Sequence, residues 1–205
     1  MRTYVYIDGF NFYYRVVKGT PHKWLNFADL CRHLLPGHTV LRIKYFTAHV
    51  SARPGDPSQP VRQQIFLRAL RTIPNLEIIL GHFMQSEVSL PIVGSSPVRL
   101  ARVIRTEEKG SDVNIAAHIV HDGHLGLYDA AVLISDDSDL EEPVRIVKNE
   151  LRKVTGILTS KSRPSFALAR YATFYKRIRS GVLAASQFPP RLKDAVGEFH
   201  KPTAW

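Results

Sequence analysis

The sequence predicts an α/β fold: a three-layer α/β/α sandwich around a central, mostly parallel sheet. Three observations predict it. Short apolar runs alternate with helical patterns along the chain, the runs are almost continuously apolar, and each is closed by polar or turn residues. The length, 205 residues, and the composition, 44% hydrophobic and 22% charged, fit one domain with a real core.

The runs that read as buried strands are Tyr4–Ile7 (YVYI), Val40–Phe46 (VLRIKYF), Leu76–Leu80 (LEIIL) and Ala130–Ile134 (AAVLI). Val154–Leu158 (VTGIL) is a weaker fifth because it contains Gly156. Helices are expected over Val61–Ile73, with Ile65, Ala69 and Ile73 on one face, over Ser111–Val120, and over Glu141–Leu151. Pro143 falls in the first turn of the last, where a missing N–H costs nothing. The Pro/Gly/Ser stretch inside Glu87–Glu108 reads as a loop or hairpin insertion, followed by an edge strand at Val98–Arg105. Phe166–Ile178 reads as helix or strand, Gly181–Gln187 as a closing helix, and the segment from Phe188 as extended.

Lys and Arg total 28 against 18 acids, a formal charge of +10. Such a field draws polyanions, so nucleic acid is the expected partner. Cys31 is the single cysteine, which excludes an internal disulfide and points to a reducing, cytoplasmic location. The first residues lack a signal-peptide core, and no membrane partner is expected. Neither a P-loop nor a GxGxxG pattern is present, so no small-molecule cofactor is expected.

Asp8 ends the first strand, and Asp137 and Asp139 follow the fourth. In a parallel sheet both groups emerge at one edge, where ligands of such sheets bind. Five of the 18 acids crowd into Asp136–Glu142, and adjacent carboxylates repel unless a cation intervenes. Oxygen ligands there suit Mg²⁺ or Mn²⁺. Helix capping explains some of these acids, since they precede a helix, but not Asp8 on the other strand. Asp112, in the first turn of the helix entered through Gly110-Ser111, supplies a third acid.

Asp8-Gly9-Phe10-Asn11, Glu108-Lys109-Gly110-Ser111-Asp112-Val113 and Ser135-Asp136-Asp137-Ser138-Asp139-Leu140, in this order, resemble the three-motif signature of NYN domains, within the PIN-like nuclease superfamily. Lys44-Tyr45-Phe46-Thr47-Ala48, Gly81-His82-Phe83 and Lys201-Pro202-Thr203-Ala204-Trp205 resemble the bacterial stand-alone branch. The resemblance implies a PIN-like NYN nuclease domain over residues 1–160, with 161–205 as a C-terminal extension packing on it. It implies Mg²⁺- or Mn²⁺-dependent cleavage, of RNA rather than DNA, with Asp8, Asp112, Asp137 and Asp139 as metal-binding, catalytic acids. Asn11 and Ser135 would contact substrate phosphate or metal water, with Lys109 and Arg105 as further substrate-binding groups. Two departures from the family pattern stand out. Asp136 adds an acid where the family often has Gly or Asn, and Val61–Ile73 contains none where many PIN nucleases carry one. A homodimer is left open.

Other readings remain. A PIN-like module that binds RNA or a protein partner without cutting would share the fold, and strand-end aspartates also serve metal-dependent phosphatases of small molecules. His118, His121 and His124 lack a zinc pattern, and Cys31, within apolar Leu30–Leu35, reads as core.

Overall fold

The computed structural model describes residues 1–205. In chain order, β1 (Arg2–Asp8) leads into α1 (Gly9–Phe12), which runs on as a wider π turn at Tyr13–Val17. Then come α2 (Phe27–Leu34), β2 (Thr39–Thr47), α3 (Gln59–Leu70) and β3 (Leu76–Leu80). A hairpin follows, β4 (His82–Pro91) and β5 (Leu100–Lys109), and after it α4 (Ser111–His124) and β6 (Ala130–Ile134). A 3-10 turn at Ser138–Leu140 precedes α5 (Glu141–Asn149) and β7 (Val154–Thr159). The remainder forms α6 (Phe166–Tyr171), β8 (Phe174–Arg177), α7 (Ser180–Ala185), β9 (Arg191–Asp194) and β10 (Gly197–His200).

Six strands make one parallel sheet in the order β3-β2-β1-β6-β7-β8. Both faces are covered, as the apolar runs require. Val5, Ile7, Ile43, Tyr45, Val132 and Ile134 face a layer built from α2, α3 and α7. Tyr6, Phe46, Ala131, Leu133 and Ile157 face α4, α5 and α6. Successive residues of β1 thus feed opposite cores, the period-2 alternation of a strand buried on two sides. The strand order reverses between β1 and β6, which opens a crevice at their carboxyl ends.

Phe166–Ile178 resolves into both alternatives: α6 capped by the Ser165 hydroxyl, then β8 as the outer strand of the sheet. The sheet therefore continues beyond residue 160. The segment from Phe188 carries its own hairpin, β9 with β10, rather than a plain extended run. Val98–Arg105 does not edge the main sheet. Its residues belong largely to β5, which pairs with β4 from His82↔Lys109 to Pro91↔Leu100. These strands bond only to each other, because each finds its antiparallel partner locally. Cys31 is buried in the first core, and burial pushes its thiol up to about 12. No helix is long and apolar enough to cross a membrane.

One buried polar group ties α4 to the sheet. Lys44 Nζ of β2 donates to Asp122 Oδ2 at 2.6 Å and contacts His118 Nδ1 at 3.0 Å. Tyr6 of β1 donates to the same carboxylate oxygen at 2.8 Å. Both side chains of the ion pair are less than a tenth exposed. Removing one partner strands the other charge in the core. Asp122→Ala should therefore cost about 3–5 kcal/mol in urea unfolding, while Lys44→Met with Asp122→Leu should recover most of that loss.

Candidate metal centre

The crevice between β1 and β6 is built by register. Ile7 pairs with Ile134, so the next residues, Asp8 and Ser135, leave the sheet side by side. Ser135 Oγ donates to Asp8 Oδ2 at 3.0 Å and accepts from the Asp137 N–H at 3.1 Å. Asp8 caps α1, its Oδ1 accepting from the Asn11 N–H at 3.0 Å. Gly9 must follow it: a Cβ there would come within 2.6 Å of the Phe46 carbonyl oxygen. Asp137 caps the 3-10 turn, accepting from the Asp139 N–H at 3.0 Å. Asp112 lies in the first turn of α4, entered through Gly110 at φ +98°, a left-handed conformation that only glycine adopts freely.

Asp8, Asp112 and Asp137 each bring a carboxylate oxygen within 4.8 Å of the others. Capping and clustering are therefore compatible, since each acid sits at a helix or 3-10 turn N-terminus and faces its neighbours. None of the chain's ion pairs involves these three groups. Burial is the main reason the Asp8 carboxyl is pushed up to about 6; the charges of Asp112 and Asp137 add to it, and the bonds from Asn11 and Ser135 oppose it. Partial loss of solvent, with Asp137, Glu108 and Asp139 nearby, also raises the Asp112 carboxyl. Three carboxylate oxygens close together, with no cationic side chain paired to them, could hold a hard divalent cation.

A family model described as NYN domain matches residues 2–178. The chain belongs to the NYN domain family. A relative from Pseudomonas putida, named 6-hydroxy-3-succinoylpyridine 3-monooxygenase HspA, is 32% identical over 100% of this chain and 75% of its own length. Among solved structures, a protein of unknown function from Vibrio parahaemolyticus matches with a TM-score of 0.59 at 17% identity, covering 87% of this chain and 93% of its own. That likeness carries the fold alone.

In this NYN chain the other expected site residues fall in distinct places. Asp139 lies on the 3-10 turn beside the cluster, outside the three converging oxygens. The Asn11 side chain lines the acidic cavity and accepts from the Asp136 N–H at 3.1 Å, so it braces the loop after β6. Ser135 is buried and spends its hydroxyl on Asp8 and Asp137. Lys109 and Arg105 both pair with Glu107 on β5, and neither is among the residues lining the acidic cavity. Asp136 does not enlarge the cluster: its carboxylate turns to the Thr159 hydroxyl and to Ser160 Oγ, the latter at 2.6 Å. Glu108 went unassigned in the sequence and does line the cavity, with Oε1 accepting from Ser111 Oγ at 2.8 Å. Its place three residues before the helix entry was the available signal.

Phe10 and Tyr14 also line this cavity, and they line a second one, largely aromatic, together with Phe66 of α3 and Trp205.

The raised Asp8 carboxyl gives two tests. Its folded-state value, about 6, exceeds the ordinary 3.8, so its contribution to stability is full below pH 4 and lost as pH rises through 6. With chelator at pH 7.5, Asp8→Asn should stabilise the protein by on the order of 1–3 kcal/mol in thermal unfolding. Mn²⁺ binding, followed by calorimetry, should weaken as pH falls from 7 through 6, because protons compete for the same oxygen.

Proposed function

We propose that this protein is a metal-dependent nuclease that hydrolyses phosphodiester bonds, in RNA in preference to DNA. The observation that carries the reading is the convergence of Asp8, Asp112 and Asp137, from three distant segments, at the crevice where the strand order reverses. Family membership and the +10 charge support it.

Asp8, Asp112 and Asp137 would hold Mg²⁺ or Mn²⁺. Such an ion supplies Lewis acidity, lowering the pKa of water and offsetting charge on the phosphate being attacked. Ser135 fixes Asp8 and Asp137 relative to each other, so the oxygens are held in position before any ligand arrives. Asn11 holds the loop after β6 against α1. Asp139 and Glu108 add negative charge at the rim, and Arg15, which lines the same cavity, is the basic group there to meet a phosphate.

A second reading follows from the relative. Its name makes it a monooxygenase of a substituted pyridine, and the match spans all of this chain. The aromatic cavity beside the acids would accept a pyridine ring. The donor set favours the first reading, because three carboxylate oxygens without an imidazole suit hard cations rather than redox iron.

One experiment separates the readings, a third among them. Pure protein is incubated with labelled RNA, labelled DNA and a simple phosphate ester, each with Mn²⁺ or with EDTA. A parallel sample receives the relative's pyridine substrate with dioxygen and a two-electron donor. RNA should be cut in the Mn²⁺ sample alone. Asp8→Asn and Asp137→Asn should each lose about 10²–10³-fold in rate, the several kcal/mol of a misplaced ion. Full cleavage by both variants removes the site assignment; hydroxylation without RNA cleavage replaces the function.

A further inference from the structure

A cation held by the carboxylates would account for a phosphate but not for the cavity beside them. Its wall combines rings from four parts of the chain: Phe10, Phe12, Tyr13 and Tyr14 from the turn that begins at Asp8, Tyr45 from β2, Phe66 from α3, and Trp205. The cleft, partly open to solvent, offers ≈ 80 Å³, several times the roughly 10–15 Å³ that one water needs. Phe10 and Tyr14 belong to both cavities, and they sit two and six residues after Asp8. The backbone of one short helical turn therefore sets the spacing between ring wall and carboxylate.

Trp205 reaches this wall by specific anchoring. Arg68 of α3 grips Asp194 of β9 with two bonds of 2.7 Å and lies 4.2 Å over the Phe199 ring of β10. Trp24 donates to the Pro189 carbonyl at 2.9 Å, and the rings of Phe66 and Trp205 meet edge to face at 5.6 Å. The segment that completes the cavity lies beyond the family match, which stops at residue 178. Polar groups stand among the rings: Lys23, Gln59, and Arg62, which Asp56 holds in place. Flat π-faces with a few donors and a cationic rim are the chemistry that binds a nucleobase attached to a phosphate.

We propose that this aromatic cleft is the pocket for the base of the nucleotide whose phosphate lies at Asp8, Asp112 and Asp137. The proposal rests on the hydrolytic reading above and names its base subsite. Stacking between rings is tolerant of base identity, so the cleft selects for an unstacked nucleotide, hence single-stranded substrate, rather than for one sequence. A duplex would have to surrender a base to enter.

The test uses the full chain with Mg²⁺, which would bridge the acids to a phosphate, and with monophosphates, which contain no phosphodiester bond, so binding is read apart from hydrolysis. Adenosine and uridine 5′-monophosphate, ribose 5-phosphate and pyridine-3-carboxylate are titrated while tryptophan fluorescence is followed. Both monophosphates should quench the emission, and ribose 5-phosphate should bind at least 10-fold more weakly. Trp205→Phe should abolish the quenching, leaving the signal of buried Trp24. Tyr14→Ala removes an exposed ring and keeps the fold testable; it should weaken monophosphate binding by about 5–100-fold. Equal binding of ribose 5-phosphate, indifference to both substitutions, or binding of pyridine-3-carboxylate alone overturns the base pocket. Base binding without Mn²⁺-dependent RNA cleavage leaves the pocket standing and removes the hydrolytic reading. Cleavage without base binding does the reverse.

Discussion

The mutual repulsion of three carboxylates is the constraint around which this molecule is arranged. Held within 4.8 Å of one another, they would separate if their backbones were free to move. The parallel pairing of β1 and β6 forbids that, because it places Asp8 and Ser135 at adjacent strand ends. A single hydroxyl then joins two of the acids, donating to one and accepting from the backbone of another. Each acid also sits at a helix or 3-10 turn N-terminus, where the positive end of the peptide dipoles offsets part of its charge. Burial raises the Asp8 carboxyl, and the repulsion left over from Asp112 and Asp137 raises it further; a cation bound there would relieve both.

The third acid depends on interactions far from the crevice. Asp112 rides on α4, and α4 is fastened to β1 and β2 near its other end by Lys44, Tyr6 and Asp122. A buried ion pair is weak evidence for stability, but its geometry is demanding, and here it fixes the register of a helix against a sheet. Ile115 and Ile119 complete the same contact on the apolar side. The position of the Asp112 carboxylate is thus decided partly by a salt bridge ten residues further along the helix.

A fold of this kind does not by itself choose a reaction. The relative's name speaks of ring oxygenation, the family of phosphodiester chemistry, and one scaffold carries both associations. The donor set is the better guide, because hard oxygens hold hard cations whatever lies beside them. The aromatic cleft is chemically neutral between the two until a phosphate is added to the ring, and Phe10 and Tyr14 line both it and the acidic cavity.

Much of this was legible in the chain itself. YVYI, LEIIL and AAVLI report their burial because a strand covered on both faces must be apolar throughout, and strand ends and motif resemblance named four acids, of which Asp8, Asp112 and Asp137 meet and Asp139 does not. Local chemistry also explains the capping acids and Gly110. Which partner each side chain or strand would find outside its own segment was not legible. Asp136 turns away from its neighbours because Thr159 and Ser160 offer it hydroxyls, and β5 leaves the main sheet because β4 pairs with it first. Glu108 faces the cavity beside the entry to α4, and Trp205 closes a wall begun at Phe10 only once α3 and the β9–β10 hairpin have docked. The sequence alone determined which segments become strands and which acids are available, since periodicity and residue type act locally. Tertiary structure alone decided where each side chain points, because that direction is set by partners the neighbouring residues do not encode.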